Sequence, residues 1–229
     1  MDTQATISWP GRVARDVLQP PTLAVLDLIA PAAVYGREAL DALAGPVLLA
    51  ANHTSHLDTP VILHALPHPR RRRVAVAAAA DYFFTRPRLG AVVALLFGAV
   101  PFGRGRGARV SLAECAGLLG AGWSILLYPE GTRTTTGRIG PFRPGVGFLA
   151  VELGIPVVPI HTEGLFGIFP KGGRLPHPGR VTVRFGTPLR FTGDVSHRAA
   201  TAAIEAAVRA LGNVRDAQEG GPDGRHLSH

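Results

Sequence analysis

The chain is poor in cysteine, lysine, aromatic residues and long apolar runs. Cys115 is its only cysteine, so no intramolecular disulfide can form. No early apolar core with a small-residue cleavage site stands near the start, and a reducing, cytosolic-side location is expected. Aromatics make up only 7% of the 229 residues, and no nucleic-acid-reading module is visible, which argues against a nucleic-acid partner. No stretch reaches the ~20 apolar residues that a spanning helix needs. Leu23 to Tyr35 is broken by Asp27 and Pro31, and Leu89 to Phe102 is too short. Charged residues are few as well, 17% against 46% hydrophobic; that is enough apolar material for a sizeable core and confines disorder to the ends.

The charge that is present is one-sided. The formal net charge is +8, and Lys171 is the only lysine. Arginine's planar fork suits phosphate, so nucleic acid, an anionic membrane surface and a phosphorylated small substrate are the partner classes raised, and the scarcity of aromatics disfavours the first. The length fits one domain. Residues 1–35 read as a polar, proline-bearing lead-in followed by an apolar segment over 21–35. That segment is either a helix packed on the core or an interfacial helix, with Arg12 and Arg15 just before it. Residues 36–212 form the main domain, and 213–229 a polar, disordered tail. The run Arg70 to Arg73 is either a solvated face or a contact for lipid headgroups or a nucleotide phosphate.

Three apolar, strand-like stretches run straight into polar loops. Val47 to Ala51 delivers Asn52-His53-Thr54-Ser55-His56-Leu57-Asp58-Thr59-Pro60, in which Asp58 or Thr59 can cap a helix of roughly 59–66 with Pro60 at its first position. On one helix, residues five apart sit roughly 140° around the axis, so a strand-to-helix elbow is needed to bring Asp58 to His53. A carboxylate on one ring nitrogen fixes the tautomer and leaves the other free to take a proton, so the pair reads as a general base with its orienter. Ser124 to Leu127 delivers Tyr128-Pro129-Glu130-Gly131-Thr132-Arg133-Thr134. Gly98 to Phe102 runs into a glycine-rich turn with Arg104 and Arg106, a candidate phosphate site.

In open α/β sheets ligands collect outside the carboxyl ends of strands. The expected fold is therefore a single α/β domain with a central mixed, mostly parallel sheet flanked by helices and a shared site at the strand carboxyl ends. The stretch Ile155 to Ile160, flanked by prolines, is expected at a sheet edge or where its amide donors are not needed. His161 and Glu163 after it read as structural. Leu165 to Gly179 is a long loop, Val181 to Gly186 a half-buried strand, and Ser196 to Leu211 a final helix.

Taken in order, His53-x4-Asp58 preceded by Asn52, Gly98-x-x-Phe102-x-Arg104, Pro129-Glu130-Gly131-Thr132-Arg133 and Ile155-Pro156-Val157-Val158-Pro159-Ile160 resemble the four sequence blocks of the glycerolipid acyltransferase family. The 1-acylglycerol-3-phosphate (lysophosphatidic acid) acyltransferases are its best known members. The resemblance covers about residues 36 to 190. It implies transfer of a fatty acyl group from an acyl-CoA or acyl-carrier-protein thioester, used as co-substrate with no further cofactor, to the free hydroxyl of a lysophospholipid, giving phosphatidic acid. The place implied is the cytoplasmic face of an anionic membrane, with peripheral attachment.

The resemblance makes His53 the base and Asp58 its partner, and gives Gly131, Thr132, Arg133 and Arg104 to the glycerol phosphate, with Asn52 and Glu130 beside them. Thr134 stands where serine is usual, and Gly103 where an apolar or acidic residue is common. A serine nucleophile at Ser55 is disfavoured because Gly-x-Ser-x-Gly is absent. A metal on His53 and His56 with Asp58 is disfavoured, because no further well-spaced ligand is evident. Two alternatives stay open: acylation of a different lysophospholipid or an amino-acid-based lipid, and a non-catalytic, peripheral lipid-binding protein.

Overall fold

The computed structural model describes residues 9–79, 92, 94–102 and 108–214. In chain order the elements are α1 (Trp9–Ile29), β1 (Ala32–Tyr35), α2 (Glu38–Asp41), β2 (Leu48–Ala51), α3 (Asp58–Ala65), α4 (His68–Arg71), β3 (Val74–Ala79) and β4 (Ala99–Phe102). They continue with α5 (Ala108–Gly120), β5 (Ser124–Leu127), α6 (Gly145–Leu153), β6 (Val157–Glu163), α7 (Leu165–Ile168), β7 (Val181–Phe185) and α8 (His197–Gly212).

The described strands form one seven-stranded sheet in the order β1-β7-β6-β2-β5-β3-β4. Every neighbouring pair is parallel except β6 with β7, which is antiparallel. The expected mixed, mostly parallel α/β fold is what the chain adopts. β2 lies between β5 and β6, so the carboxyl ends of these three adjacent strands open side by side on one rim. β2 and β5 are buried along their whole length, as continuous apolar runs in a two-sided parallel sheet should be. Leu49, Ala51, Val158 and Ile160 pack on α1 and α3, while Leu48, Ala50, Ile125 and Val157 pack on α6 and α8. α6 and α8 cross closely at Gly147, where a Cβ would stand 2.1 Å from the His197 carbonyl.

Several elements differ from the sequence reading. The segment 21–35 is not one helix: α1 begins at Trp9, well inside the expected lead-in, and ends at Ile29, and 32–35 joins the sheet beside β7. Pro20 and Pro21 stand inside α1, both exposed. Helix continuation is favoured by the buried face opposite them, where Leu23, Leu26 and Ala30 enter the core. Arg15 does not face outward; its side chain is buried and donates to the Leu95 carbonyl at 3.2 Å, while Gln19 donates to Leu96 at 2.7 Å.

Part of the arginine run is also built into the frame, while Arg72 and Arg73 stay exposed. Arg70 donates to the carbonyls of Leu40, Leu43 and Gly45, and Arg72 pairs with Asp16 of α1 at 2.5 Å. The proline-flanked strand is interior, not an edge. Pro159 is opposite Ala50 and its carbonyl accepts from the Gly186 amide just beyond β7, so the rung there is made by its acceptor alone, a position where its amide donor is not needed. His161 and Glu163 lie within this strand rather than after it.

The glycine-rich turn 103–107 lies outside the described residues, as do 215–229 of the expected tail. Ser196 caps α8 as its residue type predicts, accepting from the Ala199 amide at 3.1 Å.

Candidate active site

β2 ends at Ala51, and the chain turns through residues 52–57 into α3. The cap is not the one expected. Helix α3 starts at Asp58 itself, with Leu57 at the N-cap and no side-chain cap bond, and Pro60 falls in its first turn. The Asp58 carboxylate, fully buried, turns back over its own loop instead. Its Oδ2 accepts from the amides of Thr54 at 2.6 Å and Ser55 at 2.8 Å and meets His53 Nδ1 at 2.8 Å. Oδ1 accepts from the hydroxyls of Thr54 and Thr162 at 3.2 and 3.3 Å. An ionised carboxylate only accepts, so the bond to Nδ1 requires a proton there, and Nε2 carries the lone pair. His53 is partly exposed, and its Nε2 has no partner among the described residues.

The β5 exit supplies a second buried carboxylate. Glu130 accepts the His53 amide at 2.7 Å with Oε1 and the Gly140 amide at 2.7 Å with Oε2. Burial raises its pKa, and these two amide bonds oppose the rise. The Thr134 amide also donates to the His53 carbonyl at 2.9 Å, so the two loops are joined on both sides of the histidine backbone. Gly131 turns the chain with φ +74, and a Cβ there would lie 2.5 Å from Arg143 Nε. An L side chain there would be strained.

Asn52 and Glu130, which the resemblance places next to the substrate, have their side chains bound within the frame. Asn52 accepts the Thr162 amide at 2.8 Å and donates to the Thr162 carbonyl at 2.9 Å, tying β2 to β6. Thr132 is exposed and Arg133 partly so, on the open side of the loop. An Arg133 guanidinium nitrogen contacts His56 Nδ1, and His56 lies against Phe169 with ring centroids 4.9 Å apart. Burial, and then the Arg133 charge, lower the His56 pKa, which keeps that ring neutral and able to accept. A metal on His56 would have to share this place with a cation. Arg104 lies outside the described residues.

The two other nucleophile candidates are occupied or inert. Ser55 is fully buried and donates its hydroxyl to the Phe169 carbonyl at 2.7 Å. Burial, helped by Glu114, pushes the Cys115 thiol up to about 12. Glu163 pairs with Arg184 at 3.1 Å across β6 and β7, a structural role. His161 is buried beside Gly212, its pKa lowered mainly by burial. Sequence reasoning missed two partners of the dyad. Tyr128 stacks on His53, and Thr162, from a strand more than a hundred residues away, touches Asp58. The aromatic directly before Pro129-Glu130 was the only available signal for the first.

This arrangement agrees with what the chain resembles. A family model described as Acyltransferase matches residues 32–163. The chain belongs to the acyltransferase family. A chloroplastic 1-acyl-sn-glycerol-3-phosphate acyltransferase of Brassica napus is 33% identical over 160 residues, 68% of this chain and 44% of that one. Its counterpart in Arabidopsis thaliana is 32% identical over 160 residues, 68% of this chain and 43% of that one. This acyltransferase chain thus spans less than half the length of those plant relatives. Among solved structures, the 1-acyl-sn-glycerophosphate acyltransferase PlsC of Thermotoga maritima superposes with a TM-score of 0.69 at 21% identity, covering 90% of this chain and 80% of that one. At that identity the likeness concerns the fold.

Proposed function

We propose that the protein transfers a fatty acyl group from an acyl-CoA or acyl-carrier-protein thioester to the free hydroxyl of 1-acylglycerol-3-phosphate, giving phosphatidic acid. The observation that carries this reading is the locked histidine: Nδ1 held by a buried carboxylate and Nε2, at the rim, without a partner among the described residues. A secondary alcohol is a poor nucleophile at neutral pH, so the base must take its proton as it attacks. In the proposed step the hydroxyl proton moves to Nε2 while the oxygen bonds to the thioester carbonyl carbon. The carbon–sulfur bond then breaks, and the departing thiolate takes the proton back from the imidazolium. Asp58 stabilises the charged ring in between. A non-catalytic lipid binder would leave this free nitrogen without a use.

Gly131, Thr132 and Arg133 are assigned to the glycerol phosphate, and Arg104 is assigned with them on the sequence resemblance alone. The guanidinium fork suits a phosphate monoester, and its contact with His56 holds it on the open side of the loop. No described helix is long and apolar enough to cross a membrane. Peripheral attachment at the cytoplasmic face is assigned to α1, whose outward stripe exposes Val17, Val25 and Leu28 opposite its buried face. The plant relatives' names, which specify the same acyl acceptor, support this choice.

The test is an assay of the purified chain in mixed micelles with a long-chain acyl-CoA and 1-acylglycerol-3-phosphate, following released thiol and lipid product together. Equal amounts of thiol and phosphatidic acid are expected. Thiol without phosphatidic acid moves the acceptor to another lysolipid. Neither product, with acyl-carrier-protein donors failing too, overturns the reading.

A further inference from the structure

The His53 ring is gripped on its edge by Asp58, and it is also covered on one face. Tyr128, the last residue before Pro129-Glu130, lies flat on it with ring centroids 3.9 Å apart and planes 14° from parallel. The phenol is itself tethered, because its hydroxyl meets Thr59 Oγ1 at 2.8 Å. Thr59 follows Asp58 directly in the first turn of α3. Two consecutive residues of one helical turn therefore fix the imidazole, Asp58 through its edge and Thr59 through the ring stacked on its face. The same stacked pair bridges β2 and β5, whose register sets Ala50 opposite Leu127, one residue before Tyr128.

We propose that Tyr128 is a positioning residue for the base, held by Thr59, and that its π face favours the imidazolium formed during acyl transfer. This role rests on the acyl-transfer reading above. Two physical effects support it. A flat neighbour at van der Waals distance blocks ring rotation, keeping Nε2 turned to the rim once Nδ1 is on Asp58. When Nε2 takes the acceptor proton the ring becomes a cation, and the negative face of a phenol attracts it more than it attracts the neutral ring. The second effect acts on the charged species alone, so it lowers the barrier rather than tightening substrate binding. Burial, with the Asp58 charge adding to it, holds the Tyr128 hydroxyl well above the ordinary phenol range, so it stays a neutral ring with a hydroxyl to share.

The test uses the full chain in mixed micelles with three variants, Tyr128→Phe, Tyr128→Leu and Thr59→Val. Values of kcat and of KM for both substrates are measured alongside the ¹H shifts of the His53 ring, assigned by their loss in His53→Gln. Tyr128→Leu is expected to lose about 5–30-fold in kcat with both KM values unchanged. The upfield ring-current displacement of the His53 protons should vanish with it. Tyr128→Phe should keep that displacement and most of the kcat, and Thr59→Val should keep the displacement with a kcat between the two.

A Tyr128→Leu enzyme with wild-type kcat and no displacement overturns the role, as does a loss carried wholly by KM. Equal losses in Phe and Leu variants would mean that the hydroxyl, not the stack, matters, and would overturn it too. Wild-type transfer with any of those results leaves the acyltransferase reading standing. A wild-type chain that transfers no acyl group overturns both.

Discussion

Two buried carboxylates, Asp58 at the β2 exit and Glu130 at the β5 exit, use the same chemistry for different ends. Each accepts backbone amides at 2.6–2.8 Å. Asp58 gathers the amides of its own loop, three and four residues back, together with the ring of His53, five back. Glu130 reaches 77 residues back and 10 forward, to the His53 and Gly140 amides. One carboxylate sets a tautomer; the other sets where the histidine's backbone stands. A site of this kind uses both, because the correct tautomer must also be presented to the substrate from the right place.

The comparison breaks most visibly at the dyad. His53→Ala should lower kcat by about 10²–10⁴-fold while circular dichroism and melting temperature stay near those of the wild type. Asp58→Asn should lower kcat within the same range and destabilise as well, because an amide group cannot accept from every donor that Asp58 serves. Glu130→Gln reverses the order of effects. One of its two amide donors loses its acceptor, so unfolding in urea should show a loss of about 1–3 kcal/mol, with a smaller fall in kcat than Asp58→Asn gives. If Glu130→Gln instead abolished activity in a fully stable protein, the division of labour between the two carboxylates would be wrong.

Smaller effects sharpen the comparison further out. Arg133→Lys keeps the charge but loses the planar fork, and should raise the KM for the phosphate-bearing acceptor about tenfold with kcat little changed. The smallest concerns pH and lies away from the rim. His161 is buried with a lowered pKa, so the unfolded chain binds its proton more readily than the folded one. Stability should therefore fall as pH drops below about 6.5. His161→Leu should flatten that slope in urea titrations run at a series of pH values.

The difference between the carboxylates also explains what could be read in advance. The Asp58–His53 pair follows from a short spacing at the end of an apolar strand, and the structure closes it as the elbow requires. Strands β5 and β7 and helix α8 were legible for the same reason, since periodicity and caps are local. The partners of Glu130, and the Thr162 hydroxyl on Asp58, depend on which strands become neighbours, and no short-range pattern records that. Pro159 pointed to an edge or to a place where its amide donor is not needed; the second holds, in an interior strand where its carbonyl alone accepts from Gly186. Helix α1 was hidden by Pro20 and Pro21, whose helix-breaking tendency is outweighed by the apolar face buried against α3. Arg15 and Arg70 looked like surface charge but cap distant carbonyls.

The account turns on one proton. In mildly alkaline solution, ¹⁵N spectra of the histidine side chains of this chain, assigned with His53→Gln, report which ring nitrogen of His53 carries hydrogen. The structure predicts a protonated Nδ1, hydrogen-bonded to Asp58, and a bare Nε2 in the wild type, with that preference lost in Asp58→Asn. A proton resident on Nε2 in the wild type would contradict it, because the nitrogen assigned as the base would then have no lone pair to offer.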